Sequence, residues 1–263
     1  MSSIKDNENM LTFGGHLEIL RRMIFRILGV TGIMAVIVFC FKDLTWRLLL
    51  APSEWNFVTY RWIEQVVRSI GVNDFHFNEY HVDLIATNLS SQFMTHITTA
   101  IYLGLLSTSP YILYELFRFI SPALYENERK YSTQVLITVY LLFVTGVLMS
   151  YYVLFPISFR FLGTYSVADK IHSTITLDSY ISTFTTLTLL MGIVFQLPVI
   201  AFILGKIGLI NAEILSNYRK HALLIIMSIA AIITPPDLMT LILVTIPLYF
   251  LYEISIKVLT FIK

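Results

Sequence analysis

Uninterrupted apolar runs recur along this 263-residue chain, and their length is what most constrains its fold. Residues 23–41, 91–117, 131–155 and 180–204 each form a run of roughly 18 residues or more, long enough for an apolar helix to cross a bilayer. Inside hydrocarbon each backbone amide must find its partner within the segment, so such runs fold as helices. The composition agrees, with 56% hydrophobic and only 13% charged residues, where a soluble domain carries about a quarter charged. The expected fold is therefore an all-α membrane protein, with residues 1–263 forming a single integral membrane domain.

Two shorter apolar runs follow, 222–233 and 238–252. As helices they would extend only about 18 and 22 Å, against about 30 Å of hydrocarbon. The six expected spans are 23–41, 91–117, 131–155, 180–204, 219–234 and 236–255, the final two short. An even number of crossings puts both termini on one side. That side holds Lys5, Arg21, Arg22, Arg26, Arg118, Arg129, Lys130, Lys206, Arg219, Lys220, Lys257 and Lys263, twelve cations against six on the other. The excess marks it as the cytoplasmic or equivalent face, giving an N-in/C-in topology.

Between the first two spans all three tryptophans occur, at 46, 55 and 62, suited to the headgroup level. Trp55, Val58, Trp62, Val66 and Ile70 recur at helical spacing and predict an amphipathic helix in this first outer loop, capped by Ser53 and ended by Gly71. Residues 75–81 alternate and are expected to be extended. Pro110 is expected to kink the second span and Pro156 to stop the third. In 234–237, Thr-Pro-Pro-Asp, Thr234 is the expected helix cap, Pro235 and Pro236 make a rigid turn, and Asp237 meets the positive end of the helix dipole.

Several function classes find no support. There is no phosphate-binding glycine loop, nucleophile elbow or metal-spaced His/Cys cluster, so neither an enzyme, a cofactor nor a metal is expected. The lone Cys40 has no disulfide partner. Nothing resembles a basic run for nucleic acid. The first apolar run is too long for a cleavable signal and lacks a small-residue cleavage site, so it is expected to remain as an anchor. The spans are nearly free of ionisable groups, which weighs against the main alternative, a small ion-coupled solute transporter. A respiratory-complex assembly subunit is a third reading.

Polar chemistry concentrates elsewhere. The link 117–130, FRFISPALYENERK, gathers Glu126, Glu128, Arg129 and Lys130 at the inner membrane face, where acids would meet a cationic partner. Glu18 and Arg22 stand four residues apart before the first span and can pair along a helix. Glu115 and Glu253 lie near the inner ends of their spans. Gln196, followed by Pro198, is the most conspicuous deep polar residue, and a buried glutamine seeks a hydrogen-bond partner, either another helix or a Ser or Thr of the chain itself, such as the threonines of the second and fourth spans.

The segments HLEILRR, SPYILYELFRFISPALYENERK, FQLPV and ITPPDLMTLILVTIPLYFLYE resemble the TatC family, the polytopic subunit of the twin-arginine protein translocase, collinearly over nearly the whole chain. The resemblance implies six spans with both ends cytoplasmic, stromal or matrix-facing. It implies binding of twin-arginine signal peptides of folded cargo, use of the proton motive force, TatA/TatB-type single-span partners and a homo-oligomer in a larger complex. The membrane would be a bacterial inner, thylakoid or mitochondrial inner membrane. Carried over by position, signal binding falls to Glu128 with Glu126, Arg129, Pro122, Tyr125 and Phe119, and to Leu20, Arg21 and Glu18 at the N-terminus. The chain departs from the pattern there, with Ile19 at the usual glutamate position and Glu18 one residue earlier. Gln196 and Pro198 match the partner-helix docking position, and Pro52, Pro235, Pro236 and Asp237 match structural outer-loop positions.

Overall fold

The structure is a computed structural model that describes residues 13–71, 80, 82–120, 132–166 and 174–261. The expected extended stretch 75–81 and the link 121–130 fall outside the described residues, apart from Tyr80. Four helical stretches are long and apolar enough to cross a membrane: Leu17–Cys40, Gln134–Thr164, Leu177–Lys206 and Leu238–Thr260. This is an all-α membrane protein.

Helix α1 (Phe13–Cys40) packs antiparallel to α4 (Ser91–Ile120). Arg26 meets Glu115 at one end, and the Phe39 and His96 rings stack at 4.3 Å near the other. Helix α4 continues through Pro110, and at 30 residues it extends about 45 Å. Its serines and threonines lower its hydropathy, and five of them, Ser91, Thr95, Thr99, Thr108 and Ser109, turn inward. Ser91 and Thr95 donate to Asp178 at the start of α7 (Leu177–Val194), and Thr99 is fully buried.

The third expected span does not stop at Pro156. Helix α5 (Ser132–Met149) passes through a wide π turn, Ser150–Leu154, directly into α6 (Phe155–Thr164). The turn resets the hydrogen-bond ladder just before the proline, which then sits in the first turn of α6, where a missing N–H is tolerated. Helix α5 packs closely and antiparallel on α7. A Cβ at Gly146 would lie 2.6 Å from the Met191 carbonyl oxygen, and the Ser150 and Thr188 hydroxyls meet at 3.1 Å. Around this contact an edge-to-face cluster of Phe155, Tyr180 and Phe184, with ring centroids 4.9–5.0 Å apart, fills the core beside Leu49, Leu187 and Leu248.

Helix α2 (Lys42–Leu50), the 3-10 turn Ala51–Ser53 and α3 (Val58–Ser69) form the outer loop. The amphipathic helix is present, but Ser53 does not cap it. Ser53 instead donates to the Leu50 carbonyl at 2.7 Å, and Phe57 holds the cap position. Gly71 ends the segment with φ 101°, a conformation that disfavours side chains. The stripe of Trp55, Val58, Trp62, Val66 and Ile70 faces outward, as suits a helix lying at a lipid interface. The opposite face is tied down: Thr59 donates to the Tyr152 carbonyl and Tyr60 to the Pro156 carbonyl at 2.8 Å. Burial, followed by the hydrogen bond to Tyr80, pushes the Tyr60 phenol well above its usual range. The Arg160 guanidinium sits 5.1 Å and 4.6 Å from the Tyr60 and Tyr80 ring centroids. A two-residue parallel pairing joins β1 (Leu84–Ile85) to β2 (Ile175–Thr176). Pro52 is buried in its 3-10 turn.

The last helices are α8 (Leu197–Lys206), α9 (Ala212–Asn217), α10 (Arg219–Ile233) and α11 (Leu238–Thr260). Helix α10 has 15 residues, about 22 Å. Helix α11 has 23, about 35 Å, so the expected short sixth span is corrected. It runs past Glu253, which accepts from Arg219 of α10, at 2.8 and 3.2 Å, and from the Tyr249 hydroxyl. In the turn between them the cap is Asp237, whose Oδ1 accepts from the Thr240 N–H at 2.7 Å. Thr234, expected to cap, instead closes α10 by donating to the Ala230 carbonyl at 2.9 Å.

Candidate functional site

The N-terminal part of α1 and the C-terminal end of α4 form an open cavity of about 810 Å³ lined by Glu18, Ile19, Arg21, Arg22, Met23, Phe25, Arg26, Glu115, Arg118 and Phe119. Its geometry follows from helix periodicity. Glu18, Arg21 and Arg22 fall within one turn, and Arg26 is a turn further along the same face. Antiparallel packing then brings Glu115, Arg118 and Phe119 of α4 opposite them.

Both acids in this wall already hold arginines. Glu18 Oε1 accepts from Arg22 Nε at 2.9 Å and from Arg21 Nη2 at 3.1 Å. These pairs are largely exposed, with side-chain exposures of 66% and 74% for the arginines, and such pairs contribute about 0–1 kcal/mol each. Glu115 differs. It is 3% exposed, its Oε2 is 3.2 Å from Arg26 Nη2, and its Oε1 accepts from the Tyr111 hydroxyl at 3.1 Å. Four arginines against two glutamates leave the described wall with a positive excess.

Of the residues singled out from sequence, the structure brings Glu18, Arg21 and Phe119 to one cavity. Ile19 lines it too, so the one-residue offset leaves Glu18 facing the same space. Leu20 is half-buried and does not line it. Glu126, Glu128, Arg129, Pro122 and Tyr125 belong to the connection that follows α4 in the chain and lie outside the described residues. Nothing in the sequence marks Arg26 and Glu115 as a pair. They are far apart in the chain, and the only signal was an acid retained at the end of an apolar run.

Gln196 lies apart from this cavity, at the turn between α7 and α8. Its amide nitrogen donates to the Val139 carbonyl of α5 at 3.2 Å. Its Oε1 is buried and finds no hydrogen-bond partner among the described residues. Nearby, Pro198 lines a second, almost wholly apolar groove of about 480 Å³ with Gln134, Val135, Thr138, Phe202, Ile254 and Val258.

Comparison with known proteins identifies the family. Residues 15–247 match the family model described as TatC, Sec-independent protein translocase protein. A Sec-independent protein translocase protein TatC from Blattabacterium sp. subsp. Periplaneta americana is 33% identical over 258 residues, covering 97% of each chain. The TatCy protein of Bacillus subtilis is 39% identical over 175 residues, 66% of this chain and 69% of its own. A crystal structure described as the twin arginine translocase receptor TatC superposes with a TM-score of 0.73 at 30% identity, covering 94% of this chain and 98% of its own. The chain belongs to the TatC family and is a subunit of the Sec-independent, twin-arginine protein translocase.

Proposed function

We propose that this subunit is the receptor that docks twin-arginine signal peptides at its arginine-rich, cytoplasmic face. With TatA/TatB-type single-span partners, it then passes folded cargo across an energised membrane using the proton motive force. The observation that carries the docking role is the cavity of about 810 Å³ between α1 and α4. It contains Glu18 and Phe119, and in chain order it leads directly into the connection bearing Glu126 and Glu128. A guanidinium is planar, permanently charged and matched to a carboxylate through two parallel hydrogen bonds, so adjacent arginines require closely placed acids. Exposed pairs alone are too weak. The apolar wall of Ile19, Met23, Phe25 and Phe119 would shelter them and receive the greasy segment that follows the arginines. The positive excess of the described wall makes the acids of 121–130 necessary to this reading.

Partner-helix docking is assigned to Gln196 and Pro198. The buried, open acceptor of Gln196 and the apolar groove at Pro198 suit a single apolar helix that carries a hydrogen-bond donor. The decisive experiment uses a precursor with a photoreactive group beside its arginine pair. Glu128→Gln abolishes the crosslink while leaving the protein inserted and assembled; a crosslink of undiminished yield removes Glu128 from the site.

A further inference from the structure

No other Asp or Glu among the described residues is as buried as Glu115. Its partner is not buried: the Arg26 side chain is 46% exposed while that of Glu115 is 4% exposed. The guanidinium is therefore the more open member of a pair whose two residues both line the cavity. The contact is loose. One nitrogen approaches one oxygen at 3.2 Å, whereas a strong charge-assisted bond closes to about 2.7–2.9 Å and an arginine fork normally makes two. A carboxylate accepts at about four positions, and Tyr111 and Arg26 use one each. Glu18 repeats the arrangement at the rim, held by the consecutive pair Arg21 and Arg22. Each of the two described acids lining this cavity, Glu18 and Glu115, is thus occupied by an arginine of the chain itself.

We propose that Glu115 is a guanidinium-receiving carboxylate of the docking cavity, and that Arg26 is a resident stand-in displaced by an arginine of the incoming peptide. This rests on the docking reading above and adds a binding residue and a mode of regulation to it. The positive excess of the wall then has a role. The cavity's own arginines neutralise its described acids, and a peptide gains entry by exchange of one guanidinium for another. A peptide bearing a single cation, or lysines, exchanges poorly, because an ammonium cannot make the two parallel bonds that outcompete Arg26.

The test measures affinity of the full-length protein in lipid nanodiscs for a labelled synthetic peptide, Arg-Arg followed by an apolar segment, and for its Lys-Lys counterpart. Arg26→Gln removes the competitor and tightens Arg-Arg binding about tenfold, the size of one charge-assisted hydrogen bond. Adding Glu115→Gln cancels that gain. Glu115→Gln alone keeps side-chain shape and the Tyr111 contact; it weakens Arg-Arg binding and narrows its preference over Lys-Lys, which loss of packing alone would not do. Should Arg26→Gln fail to fold, this single variant decides the matter. Unchanged affinity and unchanged preference in Glu115→Gln, with the unmodified protein binding normally, overturn the proposal. Absence of Arg-Arg binding by the unmodified protein would instead sink the docking reading itself.

Discussion

Replacing Gly104 by alanine should damage the docking cavity from a point about 16 Å along α4 from Glu115. A Cβ at Gly104 would stand 2.8 Å from both the Cα and the N of Ala35 in α1, and 2.9 Å from its Cβ. Ordinary contact begins near 3.4 Å, and the opposing atoms are mainly backbone, so no rotamer change can relieve the overlap. The helices must part by about 0.6 Å, and such overpacking destabilises by about 1–3 kcal/mol. Carried to the inner end as a translation, the shift stretches the Arg26–Glu115 contact from 3.2 Å to about 3.8 Å, outside hydrogen-bonding range. Thermal unfolding in detergent reports the first effect, and the affinity for a twin-arginine peptide reports the second. Gly32→Ala is the control, because nothing lies within 4 Å of a Cβ there, and alanine favours a helix over glycine by about 1 kcal/mol. If Gly104→Ala matches that control in both assays, the close α1–α4 contact does not hold the cavity in shape.

Other perturbations separate the remaining parts. Gln196→Leu removes the hydrogen bond to Val139 and the open acceptor; signal binding should persist while recovery of a co-purified single-span partner falls, and undiminished recovery would end its partner role. Asp237→Ala should cost about 1 kcal/mol through loss of the α11 cap, with Asp237→Asn retaining most of it; equal unfolding midpoints for both variants would show that the cap contributes nothing. Helix α10, at 15 residues, covers about 22 Å of a hydrocarbon layer about 30 Å thick, so the bilayer should be thinner beside it, lowering the barrier to a protein crossing there. Spin-labelled lipids reporting full thickness next to α10 would count against that route.

Much of this molecule is legible from its residues, and the exceptions share a cause. Apolar runs specify helices because hydrocarbon allows little else, and the stripe from Trp55 to Ile70 specified α3. Features that depend on a distant partner were not legible. Glu253 reads as the end of a span until Arg219, 34 positions away, is seen to hold it. Pro156 reads as a stop because nothing local announces the π turn that accommodates it. Thr234 and Asp237 both suit a helix cap, and only backbone geometry assigns Asp237 to α11 and Thr234 to the end of α10. At the cavity, Glu18 and Arg22 were paired from their spacing. Glu115 was visible only as an acid near a membrane face, since its significance comes from Arg26 across the helix pair.

The central claim is that carboxylates at the inner rim recognise paired guanidinium groups. Its most direct test is the dissociation constant of an Arg-Arg signal peptide from the triple variant Glu18→Gln, Glu126→Gln, Glu128→Gln, measured beside the unmodified protein in nanodiscs. Affinity should fall toward that of the Lys-Lys peptide, with Glu115 retaining a residual preference; an Arg-Arg peptide held as tightly by the triple variant as by the intact protein would contradict it.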